Sequence, residues 1–244
     1  MDLVHRPTLG GPAQDNMLVV KVLGEKLLNL VPFQGEDYLD VGCGNGAFTL
    51  LLGKEFTRIF GIDVESSRLQ IFLQKAKSRN DHVFVVQMSA EEMGFPKENF
   101  DIITAIEVIE HIPNLTKALL EIKRLLKPGG TLCITCPNRL FPFETHGIKW
   151  QGKEIAGRFP LLPYIPWLHA KFALARVFTL HELDNLLLPM DFERIGVDFA
   201  FPTFERGSCL GRAMRPFRNL MRFLERTPLK VFGVSIVACY QKTL

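Results

Sequence analysis

The sequence lacks the features that mark secreted or membrane-spanning proteins. Its five cysteines form no paired framework, and no basic stretch followed by an apolar core opens the chain, so neither a disulfide scaffold nor a signal peptide is predicted. No charge-free apolar run reaches the roughly 18 residues of a spanning helix, so no transmembrane segment is predicted. The net charge is only +3, which does not by itself favour nucleic acid as a partner. A cytoplasmic protein with reduced thiols is expected.

One cysteine pair, Cys133 and Cys136, has the Cys-x-x-Cys spacing of many metal and redox sites. The pair lies on a predicted strand, where side chains three residues apart point to opposite faces. No second pair and no nearby histidine pair accompanies it. A zinc site is therefore not predicted here.

What the sequence does contain is a strand that turns into a helix through closely spaced glycines. The apolar strand within residues 37–46 ends in Gly42, Gly44 and Gly46, and a helical pattern begins at Ala47. Glycine permits positive φ and lets a ligand lie against bare backbone, and the helix start offers unpaired N–H groups. The spacing differs from the dinucleotide fingerprint and lacks the Gly-Lys-Ser/Thr of a phosphate loop, so nucleoside triphosphates are not expected.

Further motifs follow in order: Gly61-Ile-Asp63, Ser89-Ala90-Glu91, Phe100-Asp101-Ile-Ile and Leu126-Lys-Pro-Gly-Gly. Together with the glycine turn, over residues 36–136, they resemble the class I S-adenosylmethionine-dependent methyltransferases. The resemblance implies a Rossmann-like, doubly wound α/β sheet of about seven strands, mostly parallel with one antiparallel edge strand. It also implies S-adenosylmethionine as cofactor. The alternative is a Rossmann domain that kept only the turn.

Strand and helix patterns alternate along the core, which predicts a parallel sheet with helices on both faces. A single methyltransferase domain over residues 1–244 is expected, with an N-terminal cap helix in 1–35 and a cofactor-binding core in 36–136. Two acceptor-side insertions, 138–178 and 202–228, interrupt the pattern. Predicted strands are 36–41, 58–62, 83–88, 101–106, 130–136, 191–200 and 230–240, and predicted helices are 15–31, 46–55, 65–78, 114–127 and 179–188.

The resemblance assigns roles in cofactor binding. Asp63 would accept both ribose hydroxyls, since a carboxylate has two acceptor oxygens; the alternative is a helix N-cap. Asp40 would orient the methionine end, directly or through water; the alternative is a cap on the following turn. Ser89 stands where many relatives carry an acid beside the adenine amine. The predicted cofactor-binding residues are Asp40, Gly42, Cys43, Gly44, Gly46, Asp63, Val64, Ser89, Ala90 and Ile106.

The segment after the fourth predicted strand, Glu107-Val-Ile-Glu110-His111, resembles the one that binds a divalent ion in ubiquinone-pathway O-methyltransferases and small-RNA 2′-O-methyltransferases. Glu107, Glu110 and His111 are thus candidate ligands of Mg²⁺, which would lower the pKa of an acceptor hydroxyl. The alternative is that His111 acts as a base without metal, or only packs.

Farther along, Glu144 and His146 are expected above the same crevice as His111. His146 could be a further ligand or the general base, and the alternative is a loop histidine bonded to a backbone carbonyl. His111 and His146 are therefore the predicted catalytic residues. The other histidines, His169 among them, have no partner in the sequence and receive no role.

The acceptor class follows from what is missing after the fourth strand. Neither the Asn/Asp-Pro-Pro-aromatic motif nor the Pro-Cys nucleophile of nucleobase methyltransferases is present there. Both nucleobase classes are therefore disfavoured. The resemblance to the O-methyltransferases implies methyl transfer to a hydroxyl oxygen of a small or lipid-linked acceptor. The alternatives are an RNA 2′-O-methyltransferase and a non-catalytic, cofactor-binding partner subunit.

Five arginines recur at helical spacing near the C-terminus, with apolar residues opposite them. With the apolar segment 162–167 they suit contact with an anionic membrane surface or a lipid-tailed acceptor. Phosphate groups of nucleic acid would use the same arginines, and an ordinary solvated helix face is the third interpretation. The arginines are Arg212, Arg215, Arg218, Arg222 and Arg226.

Overall fold

The computed structural model describes residues 17–77, 82–203 and 217–243. The strands are β1 (Gly35–Val41), β2 (Phe56–Asp63), β3 (Val83–Gln87), β4 (Phe100–Ile106), β5 (Leu126–Pro137), β6 (Phe143–Glu144), β7 (Ile148–Trp150), β8 (Lys153–Ile155), β9 (Phe159–Pro160), β10 (Phe192–Ala200) and β11 (Ser235–Lys242). The α-helices are α1 (Leu18–Leu30), α2 (Ala47–Leu52), α3 (Ser66–Lys77), α4 (Leu115–Leu125), α5 (Pro166–Phe172), α6 (Leu180–Leu187) and α7 (Arg218–Leu224).

Seven strands form one mixed sheet in the order β10-β11-β5-β4-β1-β2-β3. β3, β2, β1, β4 and β5 run parallel, and β11 runs antiparallel between β5 and β10. This confirms the predicted Rossmann-like fold. The antiparallel strand, β11, is second from the edge of the sheet, and β10 is the edge strand. Because the parallel strands end at one edge of the sheet, the loops that follow them meet there.

The helices follow local sequence signals. α4 buries Leu119, Ile122 and Leu125 at helical spacing, and the Asn114 side chain caps it by accepting from Lys117 N at 3.0 Å. α6 begins at the predicted capping box, with Thr179 and Glu182 each accepting from the other's backbone.

Apolar clusters cover both faces of the sheet. One cluster contains Cys136 beside α4 and α6, and the other contains Cys133 with α1 residues such as Leu23 and Leu27. The two cysteines therefore point to opposite faces, as strand geometry predicts. The thiol of Cys133 lies 3.0 Å from that of Cys239 on β11, and both are free and buried.

Three elements differ from the prediction. The last strand starts at Ser235 instead of residue 230, because Pro228–Phe232 form a 3-10 helix. α4 stops at Leu125, because Leu126 already pairs with Phe100 on β4. The 138–178 insertion contains four short strands and α5.

The C-terminal arginine stripe is only partly described. Arg212 and Arg215 lie outside the described residues, while Arg222 and Arg226 are exposed on and just after α7. Within the described segments, no helix combines the length and the apolar character that crossing a membrane requires.

Candidate active site

A cavity of about 920 Å³ opens where the parallel strands end. The glycine turn after β1, Asp63 after β2 and Glu107 after β4 line it, and the 138–178 insertion closes the far side with Phe141, His146 and Arg158. Strand ends and insertion thus face each other across one space. The volume lies near the upper end of the usual range of about 300–1,000 Å³ for small-molecule sites.

The glycine turn owes its shape to left-handed backbone. Gly42, Gly44 and Gly46 have φ of 71°, 53° and 78°. Two of them are also forced by packing, because a Cβ on Gly42 would meet Val108 at 2.4 Å and one on Gly46 would meet Phe72 at 2.2 Å. Gly42 and Gly44 line the cavity, whereas Gly46 supports the turn from behind.

Asp63 joins the glycine turn to the next helix. Its Oδ2 accepts from Gly44 N and its Oδ1 from Glu65 N, both at 2.9 Å, and the side chain is 6% exposed. The local backbone contact offered as the alternative is thus present, and Asp63 also lines the cavity, while its binding of a ribose stays a prediction. Each carboxylate oxygen keeps a second acceptor site for a ligand in the cavity.

Asp40 is held differently from the prediction. Its oxygens accept from the hydroxyls of Thr49 at 2.5 Å and Thr104 at 2.7 Å, and it is not among the residues that line the cavity. Burial raises the pKa of Asp40 to about 6, although these hydroxyl bonds oppose the shift. Direct contact with a ligand is therefore not supported, and an indirect role through the turn stays a prediction.

The remaining predicted cofactor residues all lie on the cavity wall. They are Cys43, Val64, Ser89, Ala90 and Ile106. The Ser89 hydroxyl accepts from Glu91 N at 3.2 Å, so it stabilises its own turn as well as facing the cavity.

The acceptor side contains a compact group of ionisable side chains. One ligand atom each of Glu110, His111 and His146 lies within 4.8 Å of the others. Nε2 of His111 is 3.8 Å and Nε2 of His146 is 4.0 Å from Oε1 of Glu110, and the imidazole rings meet edge to face at 5.5 Å. The two histidines predicted as catalytic thus lie next to each other on the wall of the cavity.

Glu110 is the unusual member of this group. Its side chain is fully buried, and neither carboxylate oxygen has a hydrogen-bond partner. Burial, reinforced by the charge of Glu107, raises the pKa of Glu110 well above its usual value. Burial, with His146 and Arg68 acting in the same direction, lowers the pKa of His111 to about 4. A buried carboxylate without partners and with a shifted pKa, next to a cavity, is a candidate functional group.

Glu107 does not join this group, although the sequence predicted it as a ligand with Glu110 and His111. Its backbone is left-handed, with φ of 54°, and its carboxylate accepts from the Thr135 hydroxyl at 3.0 Å. Such backbone strain is concentrated at functional sites. His146, which the sequence offered as a further ligand, is the residue that lies close to Glu110 and His111.

The sequence missed the partners of Glu144. His169, left without a role, places its Nε2 2.6 Å from Glu144 Oε2, and both residues are buried. Glu144 Oε1 accepts from the backbone N of His146 at 2.7 Å. No local signal could have found this pair, because its members are 25 residues apart in a stretch without periodicity.

The apolar walls of the cavity come from the start of α1 and from residues just after β10. They are Met17, Val19, Val22, Phe201 and Pro202. The sequence predicted α1 as a helix that caps the sheet edge or the cofactor, and its first turn does line the cavity. The wall after β10 was not predicted.

Comparison with known proteins agrees with this geometry. A family model described as a methyltransferase domain matches residues 39–134. A ubiquinone biosynthesis O-methyltransferase of Azorhizobium caulinodans is 23% identical over 89% of this chain and 78% of its own length. Its counterpart in Coxiella burnetii is 30% identical over 54% of this chain, and the alignment spans only 55% of that relative. A solved S-adenosylmethionine-dependent methyltransferase from Mesorhizobium loti superposes with a TM-score of 0.59 at 14% identity, covering 94% of this chain and 98% of that one.

Fold, glycine turn and family match define a methyltransferase domain of the Rossmann-like kind. Residues 39–134 of the chain match this methyltransferase family, and the comparisons together support a class I S-adenosylmethionine-dependent methyltransferase. S-adenosylmethionine is the cofactor that this family implies.

Proposed function

We propose that the protein transfers the methyl group of S-adenosylmethionine to a phenolic oxygen on an acceptor with an apolar substituent. The observation that carries this proposal is the meeting, in one cavity, of the glycine turn and Asp63 with the imidazoles of His111 and His146. The relatives described above are named ubiquinone biosynthesis O-methyltransferases, which favours oxygen as the methylated atom.

The cofactor would occupy the β1–β2 side of the cavity. Asp63 would accept the ribose hydroxyls, and the Gly42–Gly44 backbone would pass beneath the methionine portion. Val64, Ser89 and Ala90 would border the adenine. The sulfonium supplies an electrophilic methyl group, so the protein has to hold the acceptor oxygen in line behind it and remove a proton.

The acceptor oxygen is proposed to be phenolic because of the strength of the available base. An imidazole has an ordinary pKa of about 6.5, a phenol about 10 and a water-like hydroxyl about 16, so an imidazole deprotonates a phenol far more readily. His146 is the proposed base, and Arg68, whose charge acts on His111, would stabilise the developing phenolate. An RNA 2′-hydroxyl is disfavoured on the same ground.

The apolar part of the acceptor is proposed from the walls formed by α1 and the end of β10. The outer surface points the same way, because Trp167 is 70% exposed, Phe223 63% and Leu161 57%. Phe223 adjoins exposed Arg222 on α7, and an exposed apolar side chain next to arginine suits attachment to an anionic membrane surface, from which a lipid-linked acceptor would enter.

A divalent ion held by Glu110, His111 and His146 is the alternative to His146 as base, because a metal-bound imidazole nitrogen has no lone pair left to accept a proton. The orphaned oxygens of buried Glu110 fit a cation. Two imidazoles and one carboxylate suit a transition metal better than Mg²⁺, which prefers oxygen ligands. Bound there, an ion would lower the pKa of a coordinated hydroxyl. Unchanged turnover after exhaustive chelation would remove the metal from this proposal.

The direct test is methyl transfer from labelled S-adenosylmethionine to 4-alkylphenols of increasing chain length, with total RNA as a second acceptor. We expect label in the organic phase, and a KM for the phenol that falls as the chain lengthens. Asp63→Ala should abolish transfer, and His181→Ala, at an exposed histidine bonded only to Asn185, is the matched control. Label confined to RNA would support the 2′-O-methyltransferase. Cofactor binding without any product would support a non-catalytic partner subunit.

A further inference from the structure

Behind the acceptor side of the cavity lies a buried carboxylate–imidazole pair. Glu144 on β6 is 1% exposed and His169 on α5 is 6% exposed, and their side chains meet at 2.6 Å. Neither residue is among those that line the cavity. The pair therefore touches neither cofactor nor acceptor, and any effect on the reaction has to pass through a neighbour.

That neighbour is His146. The Glu144 oxygen not bonded to His169 accepts from the His146 backbone at 2.7 Å and lies 3.6 Å from the imidazole Nδ1, which also has the Thr145 hydroxyl at 3.5 Å. The opposite edge of the ring, Nε2, lies 4.0 Å from Glu110. His146 itself lines the cavity. The carboxylate thus faces the edge of the imidazole that points away from Glu110.

The segment that carries His146 is anchored at both ends. Before it, Glu144 pairs with Phe159 on β9. After it, Gly147 accepts from Leu174 N at 3.2 Å, and Ile148 bridges to Ala173 at the end of α5. α5 thus supplies His169, which holds Glu144, and the residues directly after α5 hold the far side of the loop. A loop fixed on both sides limits how far the imidazole can move.

We infer that Glu144 and His169 form a positioning pair for His146. Glu144 directs Nδ1–H of the imidazole toward itself and thereby leaves the Nε2 lone pair facing the site, and His169 fixes the carboxylate in that orientation. The inference rests on the proposed function, in which His146 accepts the acceptor proton. It assigns positioning roles to two residues of the insertion that hold His146 without lining the cavity themselves.

Kinetics separate positioning from a structural role. His169→Leu removes the donor to Glu144, whereas His169→Gln places an amide donor close to the position of Nε2. With a 4-alkylphenol as acceptor, we expect His169→Leu to lower kcat roughly 10- to 100-fold, with KM for S-adenosylmethionine unchanged, because a small misplacement of a catalytic group is this costly. His169→Gln should restore most of kcat. Tyr164→Phe, which removes a different hydrogen bond of the insertion, to Leu140 O, is the matched control and should keep wild-type kcat.

A spectroscopic readout requires no turnover. In ¹⁵N-histidine-labelled protein at one fixed pH, with chelator present, the His146 signals are assigned by their absence from His146→Asn. We expect wild-type His146 to carry its proton on Nδ1 and the His169→Leu variant to show a mixture of tautomers. Should His169→Leu not fold, Glu144→Gln, which keeps an oxygen for the His146 backbone, should show the same mixture.

The outcomes distinguish the two proposals. An inactive wild type with the expected His146 tautomer would overturn the proposed function and leave the positioning pair standing. An active wild type, together with His169→Leu at wild-type kcat and unchanged tautomer, would overturn the positioning pair alone. A loss of stability without a change in kcat or tautomer would reduce the pair to an anchor of the insertion.

Discussion

The two sides of the cavity are built in different ways. The proposed cofactor side is the part of the cavity next to the ends of β1 and β2, and each of its motifs is a short continuous stretch of sequence. Much of its surface is backbone, held in place by glycines and by Asp63. The acceptor side brings together His111, His146 and His169 from three separate segments, and its contacts are between side chains. Backbone sites on a parallel sheet follow from local pattern, whereas side-chain sites in an insertion depend on how that insertion folds back.

The two sides also differ in what holds them in place. The glycine turn is fixed by its own φ angles and by contacts within the sheet core. The group around His146 depends on a loop held by α5 and β9. We therefore expect changes on the cofactor side to act on cofactor binding or on folding, and changes on the acceptor side to act on turnover.

The largest effect is expected at Asp63. Asp63→Ala removes the acceptor for Gly44 N and Glu65 N together with the proposed ribose contact. Hydrogen bonds to a charged group contribute about 1.5–3 kcal/mol each, so affinity for S-adenosylmethionine should fall by about 10³-fold or more. Isothermal titration measures it. Near-normal affinity would refute the ribose assignment and with it the division into two sides.

His146→Ala should give the opposite pattern. General-base catalysis contributes roughly 10²- to 10⁴-fold, so kcat with a 4-alkylphenol should fall by about 10³-fold while cofactor affinity stays unchanged. Single-turnover kinetics and titration on the same sample provide the two readouts. A parallel loss of cofactor affinity would show that the two sides are not separable. Full activity would return the role of base to His111.

The acid stability of the protein should report the Glu144–His169 pair. Burial by itself would raise the pKa of Glu144, but the hydrogen bonds from His146 and His169 lower it to about 2, against an ordinary value near 4.5. A depressed carboxyl pKa stabilises the folded state above the unfolded value, and that stability is lost as the pH falls from about 5 through 2. By linkage, this pKa difference contributes about 3 kcal/mol to the free energy of unfolding at pH 7, and Glu144→Gln should abolish that contribution. Denaturant unfolding between pH 7 and pH 2 checks it, and an equal pH slope in both proteins would contradict it.

The smallest effect concerns a glycine on the cofactor side. Gly46→Ala places a Cβ 2.2 Å from Phe72 at a φ of 78°, and overpacking of this kind costs about 1–3 kcal/mol. Gly152→Ala, at φ of 79° with nothing within 4 Å, isolates the cost of backbone strain alone. The urea midpoint of Gly46→Ala should be lower than that of Gly152→Ala, because only the first variant also creates a steric clash. Equal midpoints would show that packing against Phe72 is not the reason for a glycine at position 46.

Local patterns foretold the sheet and the cofactor side well. Alternating strand and helix signals gave the parallel order, Asn114 and Thr179 marked helix starts, and Asp63 was located from its distance to the glycine turn. The local patterns did not predict why these residues are needed. Gly46 leaves room for Phe72, and the oxygens of Asp40 accept from two threonine hydroxyls. These contacts depend on how other segments of the chain pack, which the local pattern does not contain.

By itself the sequence determined the fold class, the strand ends that meet at the cavity and most residues of the cavity wall beside the glycine turn, because hydrophobic period and glycine placement act over a few residues. Only the tertiary structure decided that Glu107 bonds to Thr135 while His146 lies beside Glu110 and His111, and that His169 holds Glu144. Burial and pairing of ionisable groups are set by the whole surrounding fold, and no stretch of sequence contains that information.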